Sequence, residues 1–163
     1  VVRTGYQIID EPRSGPLSAV AVDPLWPFLA LMFAGPWLGL PWFVVNALAI
    51  GSATQKKETL WVAAALAGQF ALWGGLFWLV DEVDVGKIAV GYLRFIPIVW
   101  ILGFGYVLHF SQTRSAQLFV YFGGRFRVGW PIAIAGGIYG RPFVAHALEQ
   151  LPSFGLYLKL VLA

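Results

Sequence analysis

Cysteine is absent from the 163 residues, which excludes a disulfide scaffold, thiolate-bound zinc or iron–sulfur clusters, and a cysteine nucleophile. Charge is nearly as scarce. Charged residues make up 12% of the chain, against roughly 25% in ordinary soluble domains. The net charge is only +3 and the basic residues are dispersed, so nucleic acid is not an expected partner. No HExxH, nucleophile elbow or phosphate loop occurs, and no Ser–His or Asp–Asp pair lies within the apolar stretches, so no enzyme is expected. Those stretches also lack a central acidic residue, which argues against a proton pump or proton-coupled carrier built from this chain alone.

Apolar residues are what remains. They form 59% of the chain, and the mean hydropathy is +0.74. That is too oily for disorder and leaves too little polar surface to wrap a water-soluble globule. The composition implies an all-α integral membrane protein. A crossing helix needs about 20 apolar residues, and four stretches qualify: 25–51, 59–80, 88–110 and 128–148. The expected architecture is a four-span helical bundle over 25–148. It follows a polar N-terminal tail (1–24) without a signal-peptide run and precedes a short apolar C-terminal tail (149–163).

Local chemistry supports the segmentation. Asp23-Pro24 reads as an N-cap followed by proline at the first helical position. Ser52 and Gln55 stand at capping-box spacing before the second span. Residues 111–127 mix Arg114, Arg125 and Arg127 with Phe119, Tyr121, Phe122 and Phe126, which predicts a segment lying in the headgroup region before the fourth span. Lys56, Lys57 and those arginines put the first and third connectors on one side, expected to be cytoplasmic, with both termini opposite. The membrane expected is a bacterial inner membrane or another energy-transducing one.

The first span carries Gly35, Pro36, Gly39 and Pro41, a combination that breaks or kinks a helix. Small residues four apart, Gly35/Gly39, Ala71/Gly75 and Gly136/Gly140, let backbones approach within the bundle or against another subunit. Arg94 and Arg141 lie inside spans and fall toward the face bearing Asp81, Glu82, Asp84 and Glu149, where a polar cluster of paired charges is expected. Snorkelling to the headgroups is the simpler alternative. Asp81-Glu82-Val83-Asp84 lacks calcium-loop spacing and reads as a solvated turn. Asn46 and Gln69 are mid-span amides suited to hydrogen bonding across helices.

His109 and His146 fall at opposite faces, which disfavours a bis-histidine haem and leaves each as a single-ligand candidate for a pigment. The expected function is non-catalytic: an accessory or scaffolding subunit packing laterally in a larger membrane complex. Its partners would be the bilayer and other membrane subunits. The alternatives are a transporter or channel subunit with its path at the broken first helix, and a subunit binding pigment, haem or quinone.

Overall fold

In the computed structural model, residues 16–82 and 92–149 are described. Among them the chain is helical and has no strand, only an isolated bridge between Val22 and Arg127. A 3-10 turn, Pro16–Val20, leads into α1 (Leu25–Phe33), α2 (Pro36–Ala49), α3 (Gln55–Glu82) and α4 (Phe95–Tyr121). Last come α5 (Trp130–Ala135), a π-helical turn (Gly136–Gly140) and α6 (Arg141–Glu149), which follow one another without a gap. Two helices, α3 and α4, are long and apolar enough to cross a membrane.

The first apolar stretch is not one kinked helix. It is two helices of 9 and 14 residues, roughly 13 and 21 Å long at 1.5 Å per residue. Pro36 has no N–H to continue α1 and starts α2 instead. The turn between them needs Gly35, whose φ of 99° is a conformation that side-chain-bearing residues rarely adopt. The chain then doubles back. Gly39 passes so close to Leu31 that an added Cβ would lie 2.5 Å from the Leu31 Cα.

The hairpin closes at its base, where Val22 N–H donates to Asn46 Oδ1 at 2.9 Å. Ala21, Ala49, Ile50 and Phe119 pack together there, and Arg127 N–H donates to Ala21 O at 2.7 Å. Residues 21–22 therefore sit beside both basic connectors. The sequence had placed the N-terminal segment at the opposite end, on the assumption that residues 25–51 run straight through. The hairpin returns the chain to the end it left.

The main core joins the hairpin to α3 and α4 through Leu31, Leu40, Phe43, Val62, Ala65, Ile101 and Leu108. The C-terminal helix lies along α1 and the hairpin turn. Glycines make room for this: Gly129 faces Trp26, Gly136 faces Leu38 and Gly140 faces Trp37. The Gly35/Gly39 and Gly136/Gly140 pairs thus serve internal packing. Ala71 and Gly75 do not, since both are exposed on α3.

Boundaries differ from the sequence reading in two informative places. The third stretch was expected to end at residue 110 and pass into a headgroup segment, yet α4 continues to Tyr121. Its polar residues there, Ser111, Gln112 and Ser115, face hydrogen-bond partners inside the molecule. At the other end α4 starts at Phe95, so Arg94 precedes the helix and is exposed rather than lying within a span.

Candidate functional site

At the end of the molecule where the α2–α3 connector meets the second half of α4, a polar network fills the interior. Its centre is Glu58, in the first turn of α3 and 1% exposed. Three hydroxyls donate to its Oε1: Thr54 at 2.6 Å, Ser52 at 2.8 Å and Ser111 at 3.2 Å. Gln112 Nε2 donates to Oε2 at 3.1 Å and also to Phe43 O at 2.7 Å. Behind Gln112 stands Asn46, whose Nδ2 donates to Gln112 Oε1 at 3.2 Å while its own Oδ1 accepts from Val22 N–H.

The bonds in this chain share one direction. Val22 N–H points to Asn46, Asn46 to Gln112, and Gln112 to Glu58. Each donor is polarised by the one behind it, which strengthens the donation that reaches the carboxylate. A buried acidic side chain is tolerated only when its oxygens are hydrogen-bonded, and four donors meet that need here. The arrangement couples the hairpin, α3 and α4 through one carboxylate.

Two of these residues, Ser111 and Gln112, carry no sequence signal that separates them from a polar connector. The signal that did exist was Glu58 itself, an acidic residue at helix spacing from Thr54, just inside an apolar run. At the helix start, Ser52 and Gln55 do not form the capping box that their spacing suggests. Thr54 and Ser52 instead donate to Glu58, which sits in the first turn. The Asp23 carboxylate does serve the first turn of α1, accepting from Leu25 N–H at 2.9 Å.

Gln69 makes the second cross-helix contact. Oriented to satisfy both ends of its amide, it donates to Pro97 O at 3.0 Å and accepts from Trp73 Nε1 at 3.2 Å. The break in the first stretch is likewise sealed: Trp37 Nε1 donates to Ala34 O at 2.6 Å, capping a carbonyl whose helical partner, Leu38 N–H, turns to Gly35 O instead.

Beside the network lies a cleft of about 390 Å³, lined by Asp23, Pro24, His109, Thr113, Gln117 and Phe126 among others. The His109 ring lies 5.7 Å from that of Phe28. Its Nδ1 is buried and has no hydrogen-bond partner. Metal-bound histidines almost always donate their second ring nitrogen to a fixed partner. The orphaned Nδ1 therefore does not fit an axial ligand to haem or chlorophyll. His146 is exposed in α6, roughly 24 Å along the C-terminal helix from Trp130. No group of three or more metal-ligating side chains occurs among the described residues.

The expected charge cluster falls largely outside the described residues. Asp84 is not among them, and neither are the side chains of Asp81, Glu82 and Glu149. Arg141, like Arg94, is exposed. Among the described residues the other cations converge at the opposite end: Lys56, Lys57, Arg114, Arg125 and Arg127 are all exposed around connectors that the Ser52–Ser115 contact of 3.0 Å draws together.

Comparison with known proteins adds nothing to this geometry: no family model, curated protein or solved structure matches the chain.

Proposed function

We propose that the chain is a small, non-catalytic integral membrane protein that packs laterally, through the outer face of α3, against another membrane subunit. Four crossings are not required for this. In the proposed arrangement α3 and α4 cross the bilayer, the α1–α2 hairpin enters and returns on the basic side, and the C-terminal helix runs alongside. Helices too short to span, folded back and covered by protein, are compatible with lipid because their backbone groups are satisfied within the fold.

One observation carries the lateral contact. Ala63, Ala67, Ala71 and Gly75 recur every four residues along α3, and all four are exposed. A Cβ added at Gly75 would meet nothing within 4 Å. The small-residue seams elsewhere in the molecule are filled by Leu31, Trp37 and Leu38, whereas this one is exposed among the described residues and flanked by exposed Leu60 and Trp78. In lipid such a seam favours close helix–helix approach. The transport alternative draws less support, because the helix break is packed by Trp37 and by the glycines of the π-turn.

The natural lack of cysteine makes the test direct. Ala67→Cys and Ala71→Cys, cross-linked in native membranes with a short bifunctional maleimide, should each give one discrete heavier species. Ala53→Cys, exposed in a connector, should not. Only monomer at both seam positions, in protein that resists alkaline extraction, would defeat the lateral reading. Protein that remains dispersed in buffer without detergent would defeat the membrane reading itself.

A further inference from the structure

The cleft beside His109 has no role in the packing proposed above, and its chemistry is specific. We propose that it binds the head group of a neutral, lipid-soluble hydroxylated aromatic compound of the quinol type. The inference rests on the membrane reading for the source of the ligand, and on the cleft alone for its chemistry.

Three features define the ligand. The first is size: a cavity of about 150 Å³ accommodates benzene, so the 390 Å³ here holds one substituted ring and the start of a chain. Pro24 and Phe126 supply flat apolar surface among the lining residues, suited to a planar ring. The second is hydrogen bonding. Asp23 offers a carboxylate, which only accepts, and Thr113 commits its hydroxyl hydrogen to His109 O at 2.8 Å, so it too has only acceptor capacity left. The imidazole of His109 and the amide of Gln117 complete the polar lining. A ligand bearing hydroxyl donors uses the remaining acceptor capacity of Asp23 and Thr113, which one bearing only carbonyl acceptors does not. The third is charge. Lys56, Lys57, Arg114, Arg125 and Arg127 surround this end of the molecule, and their field disfavours a cationic ligand that would otherwise suit Asp23.

The test uses the full chain in phosphatidylcholine nanodiscs, labelled with 15N-histidine, with the His146→Gln variant to assign the resonances. A decyl-substituted benzohydroquinone, kept reduced, should shift the His109 ring nitrogens saturably. Its dimethyl ether, equally oily but without donors, should bind at least 10-fold more weakly, and so should 4-decylbenzylammonium. His109→Phe and Gln117→Leu should each weaken hydroquinone binding by about 3–10-fold, the loss of one hydrogen bond. Equal binding of the dimethyl ether, preference for the ammonium compound, or no saturable shift in inserted protein would each overturn the proposal. Hydroquinone binding by a chain that proves soluble without amphiphile would sink the membrane reading and leave the cleft assignment standing.

Discussion

Gln112 places one amide nitrogen 3.1 Å from Glu58 Oε2 and 2.7 Å from Phe43 O, so a single side chain on α4 holds both α3 and α2. Gln112→Leu removes that tie without changing bulk greatly. It leaves Glu58 Oε2 and the Asn46 amide nitrogen without their partner, while Glu58 Oε1 keeps its three hydroxyl donors. Each unpaired buried group costs about 1–3 kcal/mol, so the expected loss is about 3 kcal/mol or more. At about 2–4 °C per kcal/mol for a chain of this size, the thermal midpoint in detergent should fall by about 10 °C. A drop within about 2 °C would mean that the network is incidental.

Gln69→Leu is the matched comparison. Its amide bridges Trp73 and Pro97, but no carboxylate depends on it. Cross-helix hydrogen bonds in membrane proteins average about 0.6 kcal/mol, so the midpoint should move by about 1–3 °C. Equal losses at the two positions would show that Glu58 has no special standing.

Glycine positions separate internal from external packing. Gly39→Ala drives a methyl group into the Leu31 backbone, 2.5 Å away, and overpacking of this kind costs about 1–3 kcal/mol. Gly75→Ala meets nothing within 4 Å and gains helix propensity of up to about 1 kcal/mol. Thermal unfolding of the isolated chain should therefore fall for the first and hold or rise for the second. The opposite ranking would contradict the hairpin.

For the membrane arrangement proposed above, the hairpin makes a prediction of sidedness. Ala19 and Ala53 belong to the same end of the molecule, and Tyr92 precedes α4 at the other; all three are exposed. Single cysteines at these positions, probed with an impermeant maleimide on oriented vesicles, should label Ala19→Cys and Ala53→Cys from one face and Tyr92→Cys from the other. Labelling of Ala19→Cys and Ala53→Cys from opposite faces would restore a straight first span.

Hydropathy carried the helical class and the two long helices into view, because runs of apolar residues and their polar breaks are local properties. The hairpin was half legible. Gly35, Pro36 and Gly39 announce a break, but whether the chain bends or reverses depends on what packs against it, here Leu31 on one side and the π-turn glycines on the other. The network was hidden for a related reason. Ser111, Gln112 and Ser115 resemble an exit into water until Glu58, more than fifty residues earlier, is seen to face them. His109 was visible as a residue, but its missing partner is a property of three-dimensional surroundings.

The notch formed by Gly136 and Gly140 receives Leu38 and Trp37, so the hairpin cannot reach its final seat until the last helix exists. A ribosome adding about 5–20 residues per second needs about 5–20 s to make the intervening hundred or so. During that interval the tip has no mate, and on the membrane reading proposed above whatever shelters it, lipid or insertion machinery, must let go when the C-terminal helix arrives. A chain truncated before residue 130 should accordingly linger with that machinery rather than mature.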